Sequence, residues 1–300
     1  MKANNNTIPV KLIDSPQQLT TLVRHLNATK EISVDTEFDS FNKQYGIHLQ
    51  LIQIFDGSTC YLVDPLKITD LKELWQLFEN TDICKVVYSG ANDVDVLKRN
   101  GCNPVNLFDI QIAAELCNNP EKSLSAILKR NFGVELDKSI QAAGWGNRPL
   151  ETWQLVYASN DVIYLLQLKE LLMHDIYFKT IEPVLQQQNL NLETAASKDY
   201  HPKLTKKQEI IFNAYSRKKL LSLKVLVDSY AQELNLPPFK IVQDSFLEDM
   251  IKDKEVFLKD PFPDKKFHYE IIKNKKFKTQ LLDILHSIDP AMGWENKKRR

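Results

Sequence analysis

The sequence lacks any long apolar run. None of its apolar stretches approaches the ~18 residues that a membrane-spanning helix needs, and no N-terminal stretch pairs a basic start with an apolar segment. A chain of 300 residues with 43% apolar content can still bury a sizeable core. We therefore expect a cytoplasmic globular protein, with no membrane partner and with one large or two moderate domains.

Cysteine is scarce and scattered through the chain. Its four cysteines, Cys60, Cys84, Cys102 and Cys117, include no C-x-x-C pair, so neither a zinc site nor a disulfide framework is indicated. The six histidines are dispersed without ligand-like spacing, and no Cys–His or Ser–His pair suggests a nucleophilic site. Catalytic chemistry would have to come from other side chains.

Net charge is formally zero, but it is unevenly distributed. Residues 1–200 contain 18 basic and 25 acidic side chains, whereas residues 201–300 contain 21 basic and 14 acidic ones. Such asymmetry indicates a polyanionic partner for the basic part and a need for carboxylates in the acidic part. An ordinary lysine-rich surface explains the basic part equally well.

Strand and helix patterns place an α/β domain before a helical one. Apolar, partly β-branched runs bounded by turns predict strands, and helical apolar spacing predicts the helices between them. The polar stretch 187–204 predicts a linker. The predicted domains are an α/β domain with a mixed sheet at 1–186, a small all-α domain at 205–290 and a basic tail at 291–300. The predicted strands are 9–13, 31–38, 49–55, 59–63 and 84–88. One predicted helix follows the Ser15 cap and another follows Gly90, and the other predicted helices cover 71–78, 110–117, 123–131 and 151–172.

Two carboxylates lie two positions apart in a predicted strand. Asp35 and Glu37 leave the same face of that strand, where they repel each other unless a cation lies between them. Mg²⁺ and Mn²⁺ prefer oxygen ligands and would neutralise the pair. An isolated pair of this kind is usually a solvated strand face, but the preceding residues 32–34 have the character of a buried strand.

Two further acids belong to helices. Asp93 lies near the start of a helix, where an acid also fits the helix dipole. Tyr157 and Asp161 are four residues apart and share one face of a helix, although a tyrosine beside an apolar stripe is more often part of the core. Together with the first pair, these acids supply the oxygen ligands that two-metal phosphodiester hydrolysis needs.

The order of these motifs resembles the DEDD exonuclease superfamily, specifically the ribonuclease D group with a tyrosine in its third motif. The resemblance covers residues 10–175 and implies a ribonuclease-H-like fold. It also implies two Mg²⁺ or Mn²⁺ ions held by Asp35, Glu37, Asp93 and Asp161, and an attacking water positioned by Tyr157. The matching segments are Val34 to Phe38, Leu51 to Gln53, Gly90 to Val94 with Leu97 to Arg99, Leu107 to Asp109, Leu136 to Leu150, and Tyr157 to Val162.

Substrate contacts are predicted at Thr36, Phe38, Gln53, Lys138 and Arg148. Phe38 and its neighbour Phe41 are candidates for stacking on bases. Lys138 and Arg148 can pair with phosphate, and a surface charge is as good an interpretation of either.

Three further features of the sequence concern a departure from the family pattern, a helix cap and the second domain. Tyr88 stands where the family often has histidine, and Asp109 is predicted to cap the helix that follows it. The segment Leu234 to Phe239 resembles the helical HRDC module that often follows this nuclease.

The predicted function is a metal-dependent 3′-5′ exoribonuclease that trims the 3′ ends of structured RNAs such as transfer RNA precursors, without an obligate protein partner. One alternative is a DNA exonuclease with the same site, because the carboxylates recognise the metal ions and the phosphate and do not distinguish ribose from deoxyribose. Another is a catalytically weak nucleic-acid-binding scaffold, although all four acids are present here.

Overall fold

The chain divides into two compact units. The computed structural model describes residues 8–40, 43–135, 144–174, 178–197, 201–259 and 267–287. One unit comprises residues 1–39 and 48–198, and the other comprises residues 40–47 and 199–300.

A six-stranded mixed sheet forms the centre of the first unit, in the order β1-β4-β3-β2-β5-β6. β4 is parallel to β1 and antiparallel to β3, while β5 is parallel to both β2 and β6. All five predicted strands are present, and the short β6 is additional. The strands are β1 (Val10–Ile13), β2 (Glu31–Ser40), β3 (Ile47–Phe55), β4 (Cys60–Val63), β5 (Cys84–Val87) and β6 (Leu107–Asp109).

Helices flank this sheet, which confirms the predicted α/β architecture. The first helix begins after Ser15 as predicted, since Pro16 is its first residue and the Gln18 side-chain oxygen accepts the Ser15 backbone N–H at 3.1 Å. The helices are α1 (Pro16–Leu26), α2 (Lys72–Phe78), α3 (Ala91–Arg99), α4 (Ile110–Leu116), α5 (Leu124–Phe132), α6 (Thr152–Asn160), α7 (Leu165–Met173) and α8 (Phe178–Thr194).

The single helix predicted over 151–172 is wrong. α6 ends at Asn160, and a four-residue turn separates it from α7. Within that turn the Val162 carbonyl accepts a hydrogen bond from the buried Ser33 hydroxyl of β2, at 2.8 Å. The apolar spacing continues through the break, because both helices pack on the same sheet, so periodicity alone gave no sign of it.

The predicted linker at 187–204 is also wrong in its first part. Residues 187–194 belong to α8, which runs along the edge strand β6. Asn189 accepts the backbone N–H of Asp109 at 3.3 Å, and Glu193 accepts that of Leu107 at 2.7 Å. The polar residues that indicated a linker are therefore the partners of an otherwise unpaired sheet edge.

The second unit is helical, as predicted. Its core includes Leu220, Leu223, Ile241, Phe277 and Leu281, all fully buried. The resemblance to an HRDC module stays a prediction, and the predicted tail at 291–300 lies outside the described residues. The helices are α9 (Lys206–Ile211), α10 (Ala214–Glu233), α11 (Pro238–Ile241), α12 (Asp244–Lys252), α13 (Lys254–Lys259), α14 (Tyr269–Lys273) and α15 (Lys275–His286).

Among the described residues, no helix combines the length and the apolar character needed to cross a membrane.

Candidate active site

β2 presents the first two acids to a common cavity. Val34 and Thr36 are buried on this strand, whereas Asp35 and Glu37 are only half-buried and line the cavity. Oxygen atoms of Asp35, Glu37 and Asp161 lie within 4.8 Å of one another, which is close enough for shared cations. The pairing expected from the two-residue spacing is therefore present in the structure.

The end of α6 supplies Asp161. This residue is the C-cap of the helix, and its backbone N–H still donates to the Tyr157 carbonyl at 3.3 Å, so the two side chains lie one turn apart. The Tyr157 hydroxyl hydrogen-bonds with the Asp161 carboxylate. Trp145 packs beside Tyr157, with ring centroids 5.9 Å apart, and limits the positions open to the tyrosine ring.

The first turn of α3 supplies Asp93. Its carboxylate accepts two hydrogen bonds from Thr36, one from the backbone N–H at 3.1 Å and one from the hydroxyl at 2.5 Å. Thr36 lines the cavity, but its hydroxyl is engaged with Asp93. Thr36 thus holds the Asp93 carboxylate through two hydrogen bonds, and its predicted substrate contact stays a prediction.

The four acids line one cavity of about 620 Å³, together with Tyr157 and Phe38. Apart from Thr36, the remaining lining residues were not predicted as site residues. Tyr88, Ser89 and Asn92 are close to Asp93 in the sequence, and that proximity could have indicated them. The start of α5, about 30 residues further on, is brought to the cavity only by the fold. These lining residues are Tyr88, Ser89, Asn92, Gln111, Lys122, Ser123, Leu124 and Ser125.

Burial and mutual repulsion disfavour ionisation of all four acids. Burial raises the pKa of Glu37 to about 9, with the charges of Asp161 and Asp93 adding to the shift. Burial raises the pKa of Asp161 to about 7 and that of Asp93 to about 6, although hydrogen bonds from Tyr157 and Thr36 oppose the shifts. The pKa of Asp35 lies well above its usual range, first through burial and then through the other three acids. Such a cluster of oxygen donors fits divalent cations, which remove the repulsion.

Two predicted substrate residues do not line the cavity. Gln53 is fully buried in β3 and does not line the cavity, so a substrate contact there is wrong. Arg148 binds both oxygens of the buried Asp64, at 2.6 and 2.8 Å, and donates to the carbonyls of Trp145 and Gln50. Because these partners use its guanidinium group, the predicted phosphate contact of Arg148 is also wrong.

Phe38 is half-buried and lines the cavity next to Glu37, as stacking on a base would require. Lys138 and Phe41 lie outside the described residues.

A family model described as a 3′-5′ exonuclease matches residues 10–176, which is more than half of the chain. The chain is 37% identical over 158 residues to the ribonuclease D of Shewanella sp. (strain ANA-3), covering 52% of this chain and 40% of that protein. It is 36% identical over 165 residues to the ribonuclease D of Escherichia coli (strain K12), covering 54% of this chain and 44% of that protein. The chain thus matches less than half the length of either relative.

A solved structure extends the similarity to most of the chain. The crystal structure of Escherichia coli RNase D, described as an exoribonuclease involved in structured RNA processing, matches with a TM-score of 0.71 and 27% identity. The match covers 91% of this chain and 73% of that chain. These similarities confirm the ribonuclease-H-like fold class and the resemblance to the ribonuclease D group.

Proposed function

The chain belongs to the 3′-5′ exonuclease family, and on that basis we propose that it is a metal-dependent 3′-5′ exoribonuclease that trims the 3′ ends of structured RNAs such as transfer RNA precursors. The observation that carries the proposal is the convergence of Asp35, Glu37 and Asp161, with oxygens within 4.8 Å, on a cavity that Asp93 also lines. Ribonuclease D relatives support the choice of RNA.

Asp35, Glu37, Asp93 and Asp161 would hold two divalent cations, Mg²⁺ or Mn²⁺. When bound, such a pair activates water and neutralises the charge that develops on the phosphate oxygens and the departing oxygen. The raised pKa values support this assignment, because cation binding favours the ionised carboxylates and displaces their protons.

Tyr157 would orient the attacking water. Its hydroxyl is held by Asp161 and its ring by Trp145, so the oxygen has a fixed position at the edge of the carboxylate cluster. In the proposed hydrolysis, a bond forms between the water oxygen and phosphorus, and the bond from phosphorus to the 3′ oxygen of the preceding nucleotide breaks. The 3′ oxygen leaves with a proton, and a nucleoside 5′-monophosphate is released.

The walls of the cavity would hold the last nucleotides of the RNA. Phe38 offers a ring for base stacking next to the acids. Lys122, Ser123 and Gln111 also line the cavity and would offer a cation and hydrogen-bonding groups to the RNA backbone. An unpaired 3′ end fits this arrangement, because a base must leave its duplex before its ring can stack on a side chain.

The proposal is tested by incubating the protein with a 3′-tailed RNA hairpin and with the matched DNA hairpin. Each is incubated with Mg²⁺, with Mn²⁺ or with EDTA, and products are resolved by length. We expect a ladder that shortens from the 3′ end of the RNA and that requires a divalent cation. Equal shortening of the DNA would contradict the RNA preference, and absence of cleavage with either cation would contradict nuclease activity.

A further inference from the structure

Asp109 has more hydrogen-bond partners than a helix cap requires. The residue is 2% exposed, and its carboxylate accepts the backbone N–H groups of Gln111, at 2.8 Å, and Ile112, at 3.4 Å, as the predicted N-cap of α4. It also accepts the backbone N–H groups of Ser89, at 3.0 Å, and Gly90, at 2.9 Å. We propose that Asp109 is a positioning residue that sets the geometry of the cation site by fixing the turn in front of Asp93.

The strand register explains how one carboxylate reaches both elements. Asp109 lies directly opposite Val87 where the parallel strands β5 and β6 end. The turn from β5 into α3 and the start of α4 therefore leave the sheet side by side. A single buried acid between them satisfies N–H groups from both.

The turn that Asp109 holds has a demanding backbone. Ser89 adopts a left-handed conformation, with φ of 55°, which costs a non-glycine residue energy unless its surroundings stabilise it. Gly90 lies so close to β5 that an added Cβ would be 2.6 Å from a methyl carbon of Val87. Asp109 thus holds a turn with little freedom to shift.

Asp93 follows this turn directly. Gly90 is the N-cap of α3 and its carbonyl accepts the N–H of Val94 at 2.9 Å, so the position of Gly90 sets the first turn of the helix. Asp93 lies in that first turn and meets Thr36 of β2. A shift of the turn would therefore move a carboxylate away from the oxygens of β2. This step rests on the proposed function only in that Asp93 is taken as a cation ligand.

The test compares Mn²⁺ binding by the full chain and two variants, with free Mn²⁺ measured by electron paramagnetic resonance. In Asp109→Asn, the amide oxygen can replace Oδ1, which caps α4 and also accepts the Ser89 N–H. The amide NH₂ then takes the place of Oδ2 and faces the Gly90 N–H, which loses its acceptor at the N-cap of α3. Gly90→Ala displaces the same turn by crowding Val87, without any change of charge. We expect the Mn²⁺ dissociation constant to rise about tenfold in both variants.

Asp56→Asn is the matched control. Asp56 is also a buried carboxylate of the first unit that accepts backbone N–H groups, those of Ser58 and Thr59 at 2.8 Å each, but it does not line the cavity. Its substitution should lower thermal stability and leave the Mn²⁺ dissociation constant within about twofold of wild type. A rise in this control similar to that in Asp109→Asn would overturn the proposal, since any buried aspartate would then have the same effect.

The charge of Asp109 is a rival cause, because this acid also raises the pKa of Asp93, after burial as the main cause. Weakened binding in Asp109→Asn that disappears in concentrated KCl, with normal binding in Gly90→Ala, would show a charge effect and overturn the proposal. Normal binding in a folded Gly90→Ala protein overturns it by itself, even if Asp109→Asn fails to fold. A wild type that binds Mn²⁺ but leaves RNA intact would contradict the proposed function, and the dissociation constants would still decide this inference.

Discussion

Two hydroxyl side chains of β2 connect the acids of the cavity. Ser33 donates to the carbonyl of Val162, the residue after Asp161, and Thr36 donates to the carboxylate of Asp93. Asp35 and Glu37 are on the same strand. One strand thus carries two of the acids and holds the other two, so the cluster depends on small polar residues as well as on its carboxylates.

Removal of the Ser33 hydroxyl should affect both stability and activity. Ser33→Ala removes one of two donors to the Val162 carbonyl and leaves the Leu165 N–H at 3.1 Å, so we expect the free energy of unfolding to fall by about 1 kcal/mol. Cleavage should fall as well, because the turn that carries Asp161 loses its anchor. Ser159→Ala is the control, since Ser159 donates to the Leu155 carbonyl of its own helix. Urea unfolding and RNA cleavage rates measure both effects, and equal losses in the two variants would contradict the role of Ser33.

Arg148 should behave as a structural residue. Arg148→Lys removes the bidentate hydrogen bonding to Asp64, whose side chain is fully buried. We therefore expect the free energy of unfolding to fall by about 2–4 kcal/mol. In the folded fraction, the KM for RNA should stay within about twofold of wild type. A raised KM with unchanged stability would instead support the phosphate contact that the sequence predicted for Arg148.

At the scale of elements, local spacing predicted what lies within one strand or helix turn. The two-residue spacing of Asp35 and Glu37 and the four-residue spacing of Tyr157 and Asp161 were sufficient for both pairs. Contacts between distant segments could not be read this way. Thr36 and Asp93 are 57 residues apart, and the cavity wall at the start of α5 is further away still. The position of a residue in a motif also does not show where its side chain points. Gln53 faces the protein interior, and Arg148 pairs with Asp64.

The polar half of α8 gives an element-scale test of the corrected boundary. Glu193→Ala removes the acceptor of the Leu107 N–H at the edge of the sheet, so the free energy of unfolding should fall by about 1–2 kcal/mol. Glu182→Ala, at an exposed position of the same helix, should change it by less than about 0.5 kcal/mol. Chemical denaturation of the full chain measures both. A neutral effect of Glu193→Ala would fit a linker and contradict the helix.

At the scale of the whole molecule, the cavity destabilises the cation-free protein at neutral pH. The native pKa values of Glu37, Asp161 and Asp93, about 9, 7 and 6, exceed those of unfolded carboxylates. The native state therefore binds more protons than the unfolded state, and its stability falls as pH rises through these values. Burial of Lys85 lowers its pKa to about 8 and acts in the opposite direction above that pH.

We accordingly expect the Tm of the protein in EDTA to rise by several degrees when the pH is lowered from 7.5 to 6. Mn²⁺ should raise the Tm most at pH 7.5 and reduce this pH dependence, because the cation replaces the protons. Differential scanning calorimetry measures the effect. A Tm in EDTA that falls towards pH 6 would show that the cluster is not protonated in the native state.

The cytoplasmic location and the lack of an obligate protein partner stay predictions.

The measurement that tests the account most directly is the cleavage rate of the 3′-tailed RNA hairpin by Asp93→Asn and Asp95→Asn beside wild type. Both acids belong to α3 and are largely buried, but Asp95 pairs with Arg99 at 3.0 Å and does not line the cavity. We expect the folded Asp93→Asn protein to cleave at least ~1,000-fold more slowly than wild type and Asp95→Asn to stay within about tenfold. Comparable cleavage by wild type and Asp93→Asn would contradict the assignment of the four carboxylates as the catalytic cation site.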